Sequence, residues 1–155
     1  MGVASKLALP IGGEPERCAI QCADLPFWFW VADGDEGRPR RVVTSFAGSE
    51  LPQGTLATAS GDASTWVRRI VELAPELRPA GDAIMKVWAQ DPLSLGAYSA
   101  WDGRSLARRH LFEGMHGAVA FAGEHTAGDH SGTMEGALRR GRRAATQVLD
   151  LLGRA

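Results

Sequence analysis

The segment from Phe121 to Ala145, FAGEHTAGDHSGTMEGALRRGRRAA, constrains the fold of this chain more than any other part of the sequence. A short apolar run ends there, a loop rich in glycine and polar residues follows, and a helix-like pattern begins near Thr133. Glycine loses more conformational entropy than other residues when it is ordered, so a cluster of glycines needs a structural reason. The order of residues predicts a strand, a glycine-rich loop and then the N-terminus of a helix.

Two interpretations of the glycine-rich loop are open. The first N–H groups of a helix have no partner inside the helix, and the helix dipole adds partial positive charge there. Gly132 and Gly136 would let a polar ligand approach the backbone, and Glu124 would accept hydrogen bonds from ligand hydroxyls. The alternative is a tightly packed strand-turn-helix in which the glycines serve close packing.

The final helix is predicted over about residues 132–152. Its apolar positions recur at helical spacing and form one stripe, which we expect to face the core: Met134, Ala137, Leu138, Gly141, Ala145, Val148, Leu149 and Leu152. The four arginines at positions 139, 140, 142 and 143 lie off that stripe, and a solvated face is favoured for them over a binding patch. The run before the loop predicts a strand at about 118–122, buried on both faces.

The rest of the chain predicts an α/β (α+β) fold with antiparallel strands. Residues 5–9 form a short strand, and two runs rich in aromatic and branched residues flank the turn GDEGRPR as an antiparallel pair. A helix is predicted over about 62–74, with Trp66, Ile70 and Leu73 at helical spacing. The segment DAIMKVWAQDP, residues 82–92, predicts a further strand. We expect one region over residues 1–90 and a second over 91–155.

Composition narrows the class of protein. The formal net charge of −1 over 155 residues argues against a general binder of nucleic acid or anionic membranes. No apolar run approaches 18 residues, so no membrane span is expected. Cys18 and Cys22 are interpreted as reduced thiols, which suggests a cytoplasmic setting. No metal is expected at His125, Asp129 and His130, because no cysteine accompanies them.

Three segments, in order along the chain, resemble the FAD-dependent amine oxidases, the family of monoamine, polyamine and L-amino-acid oxidases. VAFAGEHTAGDHSGTMEGALRRGRRAA is similar to that family's second flavin-binding motif. VWAQDPLSLGAYSAWDG resembles its tryptophan-then-glycine-tyrosine segment, which lines the flavin. MGVASKLALP resembles the stretch that ends in the active-site lysine. The resemblance covers nearly the whole chain and implies part of the substrate domain followed by the strand and C-terminal helix that close the FAD-binding domain.

The resemblance implies a role for each matching position. Lys6 would hold a water near flavin N5 that is used in reoxidation, and Tyr98 would be one wall of the substrate's aromatic cage. Glu124 would bind the ribityl chain. The remaining cofactor-binding positions would surround the flavin: Trp88, Gly96, Ala97, Gly123, Gly132, and the backbone of Thr133 and Met134. Without the resemblance, Lys6 reads as an exposed residue of an edge strand, and Trp88 and Tyr98 as residues of the core or its margin.

The sequence departs from the family pattern at three points. The dinucleotide fingerprint G-x-G-x-x-G, which holds the FAD pyrophosphate, is absent. Ala97 stands where mitochondrial monoamine oxidases carry the flavin-linked cysteine, so FAD would be non-covalent. Thr133 stands at the second cage tyrosine, so a two-tyrosine sandwich is not expected and simple arylalkylamines are less favoured as substrates.

The sequence therefore predicts the C-terminal portion of an FAD-dependent oxidoreductase. Such an enzyme oxidises the C–N bond of an amine or amino acid to an imine, with oxygen as acceptor. We expect the isolated chain to be inactive and to bind FAD weakly or not at all. It would be either a truncated gene product or one subunit of a split enzyme whose partner chain carries the ADP-binding half. The alternatives are a non-catalytic remnant that serves as an interaction module, and a small α/β protein that binds another anion at the helix entry.

Overall fold

The computed structural model describes residues 1–153, which divide into two compact units. The N-terminal unit comprises Val3–Ala97, and the C-terminal unit comprises Tyr98 onward together with Met1–Gly2. The architecture is mixed α/β with an antiparallel sheet, as the sequence predicts. Among the described residues, no helix is both long enough and apolar enough to cross a membrane.

A five-stranded antiparallel sheet forms the N-terminal unit. Its strands lie in the order β2-β3-β4-β1-β5, with these bounds: β1 Ser5–Pro10, β2 Cys18–Gln21, β3 Phe27–Asp33, β4 Pro39–Ala47 and β5 Ile84–Val87. Every pairing between neighbouring strands is antiparallel, including the predicted pair β3 and β4. Two helices follow the first four strands, α1 over Glu50–Thr55 and α2 over Ser64–Leu73.

Alternation along the strands separates the two faces of this sheet. In β3, Phe27 and Phe29 are fully buried, whereas the intervening Trp28 is 41% exposed. The buried face forms one core with Trp66 and Ile70 of α2. The indole Nε1–H of Trp66 donates a hydrogen bond of 2.9 Å to the buried hydroxyl of Ser45. A period of two residues therefore places aromatic side chains on both faces but buries only one set.

The C-terminal unit consists mainly of turns and one long helix. Helix α3 spans Gly103–Ala107, and α4 spans Met134–Leu151. Two short 3₁₀ turns, Glu124–Thr126 and Gly128–His130, lead into α4 and pack against it. Thr133 is the N-cap of α4, and its hydroxyl accepts a hydrogen bond of 2.9 Å from the N–H of Gly136.

The predicted strand at about 118–122 does not form. The local pairing is an isolated bridge between His116 and Val119, and the Val119 side chain is 54% exposed. A strand buried on both faces needs neighbouring strands, and none of the strands within residues 1–153 pairs with this run. Apolar composition alone does not make a strand here, because the partners that would complete it are not among the described elements.

The prediction for the core face of α4 is also wrong. Met134 is 92% exposed and Leu138 is 52% exposed, and Val148, Leu149 and Leu152 are exposed as well. The helix instead contacts its unit through the opposite side, where Gly136 and Ala144 are buried. Small residues allow the backbone of α4 to approach the 3₁₀ turns closely, and the apolar stripe is left without a covering element in the described structure.

Candidate functional site

Glu124 lies at the entry to α4 and is held by three hydrogen bonds. One carboxylate oxygen accepts the backbone N–H of Ser99 at 2.9 Å. The other accepts the Ser99 hydroxyl at 2.7 Å and the backbone N–H of Gly132. Partial burial acts to raise the pKa of Glu124, but these hydrogen bonds outweigh burial and the pKa is lowered. A carboxylate has about four acceptor positions, so Glu124 retains capacity for one more donor.

The first turn of α4 presents unpaired backbone donors. The Thr133 cap takes the N–H of Gly136, and the N–H of Ala137 bonds to the Thr133 carbonyl. Within residues 1–153 the N–H groups of Met134 and Glu135 have no hydrogen-bond acceptor. Because these groups lie at the positive end of the helix dipole, they form a position suited to an electron-rich ligand edge.

Gly132 in the loop and Gly136 in the first turn of α4 have different surroundings, and the close-packing interpretation describes Gly136. A Cβ on Gly136 would lie 2.2 Å from the His130 carbonyl oxygen and 2.8 Å from the Ala127 Cβ, so Gly136 serves close packing. Gly132 has φ of +76°, and its only neighbour within 4 Å of such a Cβ is the Tyr98 side chain. The exposed Gly132 therefore keeps the backbone open beside Tyr98, whereas Gly136 does not face a ligand.

Tyr98 contacts two parts of the C-terminal unit that are distant in sequence. Its carbonyl accepts a hydrogen bond of 2.8 Å from the N–H of Gly2, and its ring lies against Gly2 and Gly132. The side chain is 37% exposed. Gly123, with φ of +116°, turns the chain immediately before Glu124 and lies against the ring of His125. The C-terminal unit thus contains Tyr98, Gly123, Glu124 and the entry to α4.

Lys6 lies in the N-terminal unit, on the less buried face of the sheet. It occupies β1, which pairs with strands on both sides, so it is exposed without being on an edge strand. Its cross-strand neighbours are Phe46 on β4 and Lys86 on β5. Among residues 1–153, no carboxylate forms an ion pair with Lys6. The ammonium group of Lys6 therefore has no counter-ion among the described residues. Its cross-strand neighbour Phe46 is aromatic.

Lys86 is a feature that sequence reasoning missed. Its ammonium nitrogen lies 5.2 Å from the centroid of the Trp88 ring and pairs with the carboxylate of Asp91. Hydrogen bonds lower the pKa of Asp91 to about 2, and the one from Lys86 has the largest effect, ahead of the one from the N–H of Leu93. The charge of Lys86 is thereby compensated while that of Lys6 is not. The two lysines are neighbours because of the register between β1 and β5. No local sequence motif predicts that pairing.

The remaining predicted positions are placed as follows. Gly96 is buried and Ala97 is half-buried, both at the end of the N-terminal unit. Asp129 forms an ion pair with Arg109. No group of three or more His, Cys, Asp or Glu residues within positions 1–153 is arranged to hold a metal ion. Ser99, which anchors Glu124 across 25 positions, was not recognisable from the sequence because its partner is distant along the chain.

The chain is similar to a dehydrogenase and to flavin-containing amine oxidases of known identity. It is 31% identical to nicotine dehydrogenase of Pseudomonas putida over 91 residues, which are 59% of this chain and 19% of that protein. It is 34% identical to flavin-containing amine oxidase A of Bos taurus over 95 residues, 56% of this chain and 18% of that protein. The chain thus spans less than a fifth of the length of either relative.

A solved structure has the same fold. Cyclohexylamine oxidase from Brevibacterium oxydans superposes with a TM-score of 0.77 at 19% identity, covering 99% of this chain and 36% of that one. At this identity the likeness shows the fold, and it confirms the predicted partial oxidase fold.

The family model described as flavin containing amine oxidoreductase matches residues 24–149, most of the chain. This match includes Trp88, Tyr98, Glu124 and the entry to α4. Together with the relatives and the fold, it confirms the family that the sequence motifs resemble. The chain belongs to the flavin-containing amine oxidoreductase family.

Proposed function

We propose that this chain is the C-terminal portion of an FAD-dependent oxidoreductase that oxidises the C–N bond of an amine or amino acid to an imine. The flavin, when bound, supplies the chemistry by accepting a hydride equivalent from the carbon of that bond and passing two electrons to oxygen. The observation that carries the proposal is the α4 entry, where Glu124 and the unpaired N–H groups of Met134 and Glu135 occur in one unit.

The C-terminal unit would bind and orient the cofactor. The Met134 and Thr133 backbone would face the pyrimidine edge of the flavin, where reduction places negative charge that a helix N-terminus stabilises. Glu124 is fixed by Ser99 and Gly132, so its remaining acceptor position could receive a ribityl hydroxyl without reorientation. Gly132 would allow close approach, and Tyr98 would form a wall of the substrate site.

Lys6 and Trp88, which lie in the N-terminal unit, would have the roles that the family resemblance implies. Lys6 would hold a water, and Trp88 would pack beside the isoalloxazine ring. The compensated charge of Lys86 supports Lys6 as the functional ammonium group of this face. Ala97 offers no thiol, so FAD would be bound non-covalently. Thr133, whose hydroxyl caps α4, has no ring that could form a second aromatic wall.

The rest of the oxidase fold would have to come from polypeptide outside these 155 residues. The chain covers 36% of cyclohexylamine oxidase and has no G-x-G-x-x-G segment. We propose a partner region carrying the ADP-binding half, in the same polypeptide or in a second chain of a split enzyme, and a small-molecule amine as substrate. The reduced cysteines favour the cytoplasm as the compartment.

A second candidate is a non-catalytic interaction module. The exposed apolar stripe of α4 favours it, because such a surface suits a protein partner whether or not a flavin binds. Titration of the purified 155-residue chain with FAD bears on both candidates. We expect weak binding or none, because the loop that holds the pyrophosphate is missing. Submicromolar binding would contradict this expectation.

Two substitutions in the complete, FAD-loaded enzyme test the assigned roles separately. Glu124→Ala should weaken FAD retention about tenfold or more, because a hydrogen bond to a charged group typically contributes ~1.5–3 kcal/mol. Lys6→Met should slow reoxidation by oxygen and leave FAD bound, since the lost positive charge lies where oxygen accepts electrons. Flavin release and stopped-flow reoxidation measure the two effects independently. Reoxidation of Lys6→Met at the wild-type rate would refute the role of Lys6.

A further inference from the structure

A cavity of about 270 Å³ in the C-terminal unit is lined almost entirely by basic residues. Its lining comprises Ala127, His130, Arg139, Arg140 and Arg143. It lies between α4 and the turn Gly128–His130, and none of the positions assigned to the flavin lines it. No carboxylate is among its lining residues.

The arginines of α4 do not form a uniform solvated face. Arg140 and Arg143, three positions apart on one side of the helix, are partly buried and line the cavity, as does the more exposed Arg139. Arg142 is exposed to solvent and does not contribute. The fold therefore directs three of the four arginines toward one space, although all four lie off the apolar stripe.

The positive charge of this cavity is only partly compensated. Arg139 pairs with Glu135 one helical turn earlier, and Arg140 lies 3.7 Å from Glu113. Neither carboxylate lines the cavity. Each of these ion pairs is exposed on at least one side, so each is weak. The interior of the cavity consequently carries an excess of positive charge.

Arg143 contributes a positive charge that forms no ion pair with a carboxylate of the described residues. Its guanidinium donates hydrogen bonds to three backbone carbonyls, those of Phe112 at 3.0 Å, Glu113 at 2.7 Å, and Phe121. Within residues 1–153 no carboxylate forms an ion pair with Arg143. Burial, and then the neighbouring charge of Arg140, lower the pKa of the Arg143 guanidinium, and the charge of Glu113 opposes them with a smaller effect. Two like charges are thus held close together, and a bound anion would relieve their repulsion.

We infer that this cavity is a binding site for a small dianion of the phosphate type. Arg139 and Arg140 would contact the oxyanion directly, because a guanidinium presents paired donors that match phosphate geometry. Arg143, fixed by its three carbonyls, would contribute a stationary positive charge. Free phosphate and the phosphate group of a larger metabolite share this chemistry. The inference does not depend on flavin binding.

NMR titration of the ¹⁵N-labelled full chain in low-chloride buffer tests the site, with inorganic phosphate in one arm and ribose 5-phosphate in the other. We expect saturable shifts at the backbone amides of residues 127–130 and at the arginine Nε–H groups of α4. Arg140→Gln and, separately, Arg139→Gln should each weaken binding about tenfold, as loss of one charged hydrogen bond predicts. Circular dichroism would establish that both variants retain the helix.

Arg142→Gln is the matched control, since it removes the same charge from the same helix outside the cavity. Unchanged affinity in this control, with loss in the other two variants, would support the site. Equal loss in all three variants would show general charge attraction and overturn it, as would the absence of saturable shifts with either probe. Tighter binding of ribose 5-phosphate would show that the site also contacts the rest of a phosphorylated metabolite, tighter binding of inorganic phosphate would favour the free ion, and equal affinity would show that only the phosphate group is contacted.

Discussion

Ser45 shows how one hydroxyl group serves two buried partners. Its O–H donates a hydrogen bond of 2.9 Å to the Trp28 carbonyl, and its oxygen accepts one of 2.9 Å from the indole N–H of Trp66. Both Ser45 and Trp66 are completely buried. A buried polar group that loses its hydration without gaining a hydrogen bond destabilises the fold. Ser45 prevents this by supplying an acceptor for the indole N–H within an otherwise apolar core.

We predict that Ser45→Ala lowers the free energy of unfolding by about 1–3 kcal/mol, because it leaves the buried Trp66 N–H without an acceptor. Urea denaturation of Ser45→Ala, Trp66→Phe and the double variant measures the coupling between the two residues. Removing both partners should cost less than the sum of the single changes. Strict additivity would show that the hydrogen bond contributes nothing.

Glu124 provides a pH-dependent prediction. Its pKa in the folded chain is lowered from the ordinary value near 4.5, so its ionised form stabilises the fold. That stabilisation is present above the ordinary pKa and is lost as the pH falls through the folded pKa. Glu124→Gln should therefore lower stability at neutral pH, and its difference from the wild type should vanish in acid.

Unfolding curves recorded between neutral and acidic pH would check this behaviour. Glu16→Gln is a suitable control, because Glu16 is exposed and makes no ion pair within the described residues. A Glu124→Gln difference that persists unchanged in acid would indicate a packing effect instead of ionisation.

At the level of elements, α4 depends on the close approach of its backbone to the preceding turns. Gly136→Ala places a methyl group against the His130 carbonyl, so we predict a loss of about 1–3 kcal/mol or more in stability. Gly141→Ala on the same helix meets nothing within 4 Å and should stabilise the chain by about 1 kcal/mol. Thermal unfolding of the two variants should show shifts of opposite sign. Shifts of the same sign would contradict the close-packing role of Gly136.

The elements also show how far sequence reasoning reaches. Helix α2 and the pair β3 and β4 were predictable, because their burial pattern repeats along the chain itself. The glycine-rich entry to α4 was predictable because capping and turn chemistry are local. The strand at 118–122 and the contact face of α4 were not, since both depend on which other elements are present to cover them. The pairing of Glu124 with Ser99 likewise depends on tertiary structure.

For the whole molecule, the main consequence is an uncovered apolar surface on α4. Leu138 and Leu149 are 52% and 44% exposed, and they share the stripe with other exposed apolar residues. We predict that the purified chain self-associates and binds an apolar dye, and that Leu138→Gln with Leu149→Gln reduces both effects. Sedimentation velocity and dye fluorescence provide the measurements.

Leu93→Gln is the control for that experiment, because Leu93 is 96% exposed but lies outside α4. It should leave association and dye binding unchanged. If the wild-type chain is monomeric and does not bind the dye, the apolar stripe of α4 does not mediate association.

The burial of Trp66 has a spectroscopic consequence. Four of the five tryptophans, Trp66 among them, belong to the N-terminal unit, and only Trp101 belongs to the C-terminal one. An indole enclosed by an apolar core emits at shorter wavelength than one in water, so the red shift on denaturation will be dominated by exposure of Trp66. Intrinsic fluorescence will therefore report the unfolding of the sheet and will change little when α4 unfolds. The unfolding of α4 must be followed by far-ultraviolet circular dichroism.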